Sequence, residues 1–139
     1  MPPRQDDPSF SGSIVLYRRI PVSGDRVQWD EQEKPYPSSM NFKDQDDELS
    51  LYLANETTPE WVLKDHLDFG LIMITAGEIR TICVNQKQEP VIIICRDDKE
   101  PENGHVLVCG KISGGMATKL RKAAKWVEGH TPSRTLPRE

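Results

Sequence analysis

The chain has 139 residues, 29 % of them charged and 36 % hydrophobic, with a formal net charge of −4. A single domain of this length buries a core without staples, and the mild negative charge opposes non-specific nucleic-acid binding, which needs clustered Lys and Arg. No apolar run reaches the roughly 18 residues of a membrane-spanning helix, and Met1 to Pro8 lacks the apolar centre of a secretory signal. The three cysteines, Cys83, Cys95 and Cys109, lie in apolar, β-branched runs, which predicts buried reduced thiols and a cytoplasmic protein.

Residues 1–12 are rich in Pro, Asp, Ser and Gly, a composition that predicts a flexible tail. Ile14 to Ile20 is β-branched and aromatic, is closed by Pro21, and reads as the first strand. Ser23-Gly24-Asp25 signals a turn, Val27 to Trp29 a short strand, and the charged, proline-punctuated stretch from Asp30 to Pro37 a loop. Glu48 to Asn55 sets Leu49, Leu51 and Leu53 on one face and Ser50, Tyr52 and Ala54 on the other, the alternation of a half-buried strand.

Thr57-Thr58-Pro59-Glu60 is a helix start: either Thr can cap, Pro59 suits the first turn, and Glu60 completes a capping box with Thr57. The predicted helix runs to about Asp68, with Val62, Leu63 and Leu67 facing the core, and ends at Phe69-Gly70. Leu71 to Thr75 reads as a buried strand, Ala76-Gly77-Glu78 as a break, and Ile79 to Val84 as a further strand. A polar turn over Asn85 to Glu89 precedes Val91 to Cys95, the most apolar run and the predicted central strand. Asn103-Gly104 is a turn pair that returns His105 to Cys109 as its antiparallel partner. Met116, Leu120, Ala123 and Val127 recur with helical spacing over Met116 to Glu128. The expected fold is α+β: a small mixed, mostly antiparallel sheet with about two helices, the last one C-terminal. It forms a single domain over residues 13–128 between flexible tails at 1–12 and 129–139.

Several stretches carry possible chemistry. Gly110 to Gly115 joins a strand to a helix, the arrangement of an anion site, yet Met116-Ala117 follows where a phosphate-binding loop needs Lys-Ser or Lys-Thr. His66, His105 and His130 with the three cysteines form no local ligand pair, and no metal site is assigned. Ser38 and Ser39 lack a nucleophile elbow and a nameable base. The acids from Asp44 to Glu48 suit a solvated docking surface better than acid–base work. Lys119, Arg121, Lys122 and Lys125 could grip phosphate, but the net charge opposes nucleic acid as a partner, and Trp126 is the only aromatic beside them.

Leu16-Tyr17-Arg18, then the turn Ser38 to Phe42, then Leu51-Tyr52-Leu53-Ala54 before a helix resembles the order of motifs in RES-type domains. These are NAD-degrading enzymes with an ADP-ribosyltransferase-like fold. The resemblance covers residues 14–75. It implies NAD as ligand, with Arg18, Tyr52 and Glu60 at its cleft.

No constellation in the sequence combines nucleophile, base and orienter. The expected function is therefore a small non-catalytic binding or accessory domain that takes no cofactor and contacts another protein through Tyr36 to Glu48. The contact residues are Trp29, Tyr36, Ser38, Ser39, Asn41, Phe42 and Asp44, with the aromatics as anchors. An NAD-binding or NAD-degrading enzyme is the alternative.

Overall fold

A computed structural model describes residues 4–22, 25–43, 46–97 and 102–133. Strand β1 (Val15–Ile20) lies inside a six-stranded sheet. After the short strands β2 (Val27–Trp29) and β3 (Pro35–Pro37), the chain enters β4 (Glu48–Leu53) and β5 (Gly70–Thr75), then β6 (Ile93–Arg96), β7 (His105–Cys109) and β8 (Lys125–Trp126). The large sheet has the order β6-β7-β4-β1-β5-β8, and each neighbouring pair is antiparallel. β2 and β3 form a separate hairpin, which covers the loop expected from Asp30 to Pro37. Trp126 Nε1–H donates to the Pro35 carbonyl at 3.0 Å and ties this hairpin to β8. The fold is α+β, as the sequence indicates.

Alternation decides what each face of the sheet carries. In β4, Leu49, Leu51 and Leu53 are buried while Ser50 and Tyr52 point the other way. Leu16, Ile20, Ile72, Ile74, Ile94, Val106 and Val108 join the leucines in the main core. Two helices, α2 (Ala76–Ile82) and α3 (Gly114–Ala123), contribute Ile79, Ala117 and Leu120 to the same core. Each such aliphatic side chain contributes about 1.5–3 kcal/mol on full burial. On the opposite face, the single-turn helix α1 (Pro59–Val62) and the chain after it place Val62 and Leu63 against Leu71.

Several elements differ from the sequence expectation, each for a physical reason. Residues 79–82, expected as a strand, are helical because Thr75 and Glu78 form a capping box: Thr75 Oγ1 accepts from Glu78 N–H at 3.1 Å, and Glu78 Oε1 accepts from Thr75 N–H at 3.0 Å. The helix starting at Pro59 is capped by Thr58, one of the two expected caps, but stops after one turn, and Leu67 is 86 % exposed instead of facing the core. The β6 run is the outermost strand, not the central one. The last helix ends at Ala123, because residues 125–126 pair with β5.

Parts of both terminal stretches make contacts with the sheet within the described residues. Phe10 is 3 % exposed in the main core. Asp7 N–H donates to the Ile94 carbonyl at 2.8 Å, and Asp6 Oδ1 accepts from Ile94 N–H at 2.9 Å, so the segment covers the open edge of β6. Arg80 binds the same segment through the Asp6 carboxylate, the Asp7 carbonyl and the Phe10 carbonyl. At the other end, the His130 carbonyl accepts from Leu71 N–H at 3.2 Å. Residues 134–139 and the Ser23-Gly24 part of the first predicted turn lie outside the described residues.

Candidate functional site

The polar face of β4 and the register of its neighbours bring together three side chains that are distant in sequence. β4 pairs with β7 so that Ser50 opposes Leu107 and Tyr52 opposes His105. Just beyond β6, Asp97 N–H donates to the His105 carbonyl at 3.1 Å, which aligns Asp97 beside His105. His105 Nδ1 lies 3.0 Å from Asp97 Oδ2, and its Nε2 lies 2.9 Å from Ser50 Oγ. An ionised carboxylate only accepts, so Nδ1 carries the proton, and in a neutral imidazole Nε2 is then the acceptor. The Ser50 hydroxyl donates to it. This is the order of contacts of a serine nucleophile, its base and the carboxylate that orients the base.

The group is shielded on most sides. His105 is 7 % exposed and Asp97 8 %. The Tyr52 ring lies 5.0 Å from the imidazole, and Trp61 meets Tyr52 edge-on at 5.8 Å. Arg19 stands over the Tyr52 ring at 5.6 Å. Low local dielectric strengthens each of these polar contacts and makes an unpaired partner costly.

Ser50 also lines a cleft of about 210 Å³, with Arg18, Arg19, Pro21, Arg26, Asn41 and Phe69. The cleft opens where β1 and β4 part company. Their ladder holds only the pairs Leu16–Leu53 and Tyr17–Tyr52, whereas β1 stays paired to β5 through Ile20. Beyond the last pair, Arg18 replaces the missing backbone contacts: its guanidinium donates to the Ser50 carbonyl at 2.8 Å and to the Asn41 carbonyl at 2.6 Å.

Asn41 enters from the 3₁₀ turn Ser39–Phe42, and its amide donates to the Arg26 and Ser38 carbonyls at 2.7 and 3.0 Å. Within the stretch from Tyr36 to Glu48 the described residues divide: Ser38, Asn41 and Phe42 turn inward, whereas Met40, Lys43, Asp46, Asp47 and Glu48 are exposed. Ser38, Asn41 and Phe42 are buried, so they present no outward surface to a protein partner. Trp29 packs against the core, and Tyr36 lies under Arg121 with the guanidinium 4.8 Å from the ring centre. Ser39 is half-buried, Met40 is the exposed apolar residue of the turn, and Asp44 lies outside the described residues.

Arg18, Tyr52 and Glu60 do not all lie on one face of the sheet. The Tyr17–Tyr52 register puts Arg18 and Tyr52 on opposite faces of the sheet, and Glu60 is an exposed residue of α1, 3.8 Å from His130 Nε2. The glycine-rich link before α3 borders a separate cleft of about 270 Å³ with Lys43, Asp47 and Lys111, and Ser113 caps the helix by accepting from Met116 N–H at 3.2 Å. A side chain at Gly110, where φ is +140°, would run into the Val91 carbonyl, which explains that glycine structurally.

Burial pushes the Cys83 thiol up to about 11, away from any nucleophilic role. Among the described residues, no group of three or more His, Cys, Asp or Glu side chains is arranged to hold a metal ion, and no helix is long and apolar enough to cross a membrane. No protein-family model, curated protein or solved structure matches the chain.

Proposed function

We propose that the protein is a serine-dependent hydrolase of esters, with Ser50 as nucleophile, His105 as general base and Asp97 as the positioning carboxylate. The observation that carries this reading is the continuous Asp97–His105–Ser50 chain, at 3.0 and 2.9 Å, ending at the one of its residues that lines the arginine cleft. In the first step, the Ser50 proton moves to His105 Nε2 while Oγ bonds to the electrophilic centre of the ester. The bond to the leaving alkoxide then breaks, and His105 returns the proton to it. Water repeats the sequence in reverse: its proton goes to His105, its oxygen displaces Ser50, and Ser50 recovers its hydrogen. Arginines bordering the cleft supply positive charge for the oxyanion that develops.

The test is reaction with a fluorophosphonate probe, followed by mass spectrometry of the Ser50 peptide. The expected result is a single adduct on Ser50, lost in Ser50→Ala and greatly slowed in His105→Ala. Hydrolysis of p-nitrophenyl esters should fall with it. A folded wild-type protein that neither labels nor turns over any ester faster than Ser50→Ala would overturn the reading.

A binding domain without turnover is the second reading. It is favoured by Asn41, through which the stretch Tyr36 to Glu48 contributes a buried polar wall to the cleft. It predicts ligand retention that Ser50→Ala leaves unchanged.

A further inference from the structure

We infer that Arg19 sets the acyl specificity of the Ser50 site and that the esters cleaved are those of short dicarboxylic acids, whose free carboxylate it holds; this rests on the serine-hydrolase reading above. Strand alternation decides which side chains can serve Ser50. Tyr17 lies directly opposite Tyr52, so Tyr17 and Arg19 share a face with Tyr52 and Ser50. Continuing that register by two residues sets Arg19 across from Ser50, where the ladder has ended. Arg18 belongs to the other face and is engaged by the Asn41 and Ser50 carbonyls.

Arg19 is half-buried and weakly engaged. Its guanidinium makes a long contact of 3.4 Å to the Val62 carbonyl and stands over the Tyr52 ring at 5.6 Å. The same ring lies 5.0 Å from the His105 imidazole, so Tyr52 flanks both the base and the cation. Arg4, Arg80 and Arg96 each meet a carboxylate, whereas Arg19 forms no ion pair among the described residues. A guanidinium partly withdrawn from water is well matched by a carboxylate, whose two oxygens fit its planar fork.

The order of the strands assigns the two halves of the ester. β4 lies between β7 and β1. His105, on β7, must return its proton to the leaving alkoxide, so the alcohol portion departs on the β7 side. The acyl portion then lies toward β1, where Ser50, Arg19, Pro21 and Phe69 border one cleft. Its volume of about 210 Å³ is below the roughly 300–1,000 Å³ of common ligand pockets, so the acid is short. Pro21 and Phe69 suit its methylenes, and Arg19 its far carboxylate.

The step needs no further reactant. Ser50 Oγ bonds to the ester carbonyl carbon, the bond to the alkoxide breaks, and the Ser50 proton reaches that alkoxide through His105. Water then cleaves the acyl-serine: its oxygen completes the second carboxyl group, and the serine hydroxyl is restored.

The experiment compares mono-p-nitrophenyl glutarate with p-nitrophenyl valerate, which matches it in length and lacks the charge. Uncatalysed rates are subtracted, and fluorophosphonate labelling of Ser50 is run alongside. Wild type should favour the glutarate ester through a lower KM, and free glutarate should inhibit competitively. Arg19→Gln should reduce the preference, taken as the ratio of the two kcat/KM values, by about tenfold or more. Arg19→Lys, which keeps the charge, should restore part of it. Both esters pass through the same oxyanion, so a loss of positive charge there affects both and cancels in the ratio. If Arg19→Gln fails to fold, inhibition of the wild type by glutarate but not by glutaramide, its neutral isostere, keeps the test open. Labelling of Ser50 with a ratio that Arg19→Gln leaves unchanged, or with equal inhibition by glutarate and glutaramide, would overturn the carboxylate subsite while the serine reading stands. Absence of both labelling and turnover would overturn the serine reading and the acyl assignment with it.

Discussion

Asp97 Oδ2 and His105 Nδ1 face each other at 3.0 Å, and both side chains are almost wholly buried. The carboxylate selects the tautomer that leaves Nε2 free to accept from Ser50. Asp97→Asn keeps the shape but turns an N–H toward Nδ1, reversing the tautomer. Ester turnover should fall by about 10³–10⁴-fold, with the pH–rate profile displaced. A purely structural role would lower stability, by about 1–3 kcal/mol, and leave the profile of the residual activity where it was. Urea melts and pH–rate curves on the same preparation separate the two.

Glu56 and Arg96 form a two-pronged ion pair, at 2.9 and 2.6 Å. The hydrogen bond from Arg96 holds the Glu56 carboxyl below its ordinary value. The folded group thus loses its proton more readily than the unfolded one, near pH 4.3 as an order-of-magnitude reference for Glu (~4.3). The pair stabilises the fold above that pH, and the contribution disappears as pH falls through the folded value. Both side chains are partly in water, so Glu56→Gln should cost no more than about 1 kcal/mol near neutrality. Denaturant midpoints of the two proteins should converge in acid.

Cys83 titrates in the opposite sense. Its folded thiol is pushed up to about 11, against about 8.5 in an unfolded chain. Stability associated with the neutral thiol is complete below about pH 8.5 and is lost progressively as pH rises toward 11. Cys83→Ala should flatten that alkaline slope. Iodoacetamide should label Cys83 only when the protein unfolds, whereas partly exposed Cys109 should react in the native state.

Leu63 and Leu67 give a matched pair around α1. Leu63 packs with Val62 and Leu71, while Leu67 projects into solvent. Leu63→Ala should cost about 2–5 kcal/mol. Leu67→Ala should stay within about 0.5 kcal/mol. Thermal melts compare them directly.

What the sequence reveals follows the range of the interactions involved. Leu49, Leu51 and Leu53 declare their face by alternation, and β1, β2 and β4 are legible for the same local reason. The capping pair Thr75 and Glu78 was also written locally, but Gly77 between them reads as a breaker and the β-branched residues after it suggest a strand. Ser50 by itself is an outward residue of a half-buried strand, His105 a strand terminus and Asp97 a loop acid. They meet only through the β4–β7 and β6–β7 pairings, and no local window contains a register between distant segments. Asn41 reads in the sequence as a residue of an outward loop, and its inward direction depends on the turn that buries Phe42.

Phe10, Asp6 and Asp7 give the amino-terminal stretch a role that its composition disguises. A sheet ending in β6 would offer unpaired backbone groups to a neighbouring molecule. Asp6 and Asp7 occupy the Ile94 donor and acceptor, while Phe10 anchors the stretch in the core. Residues 6–10 thus work as a built-in guard against fibre-like stacking. A protease cut or fusion junction placed there would leave the β6 edge open as a template for further strands.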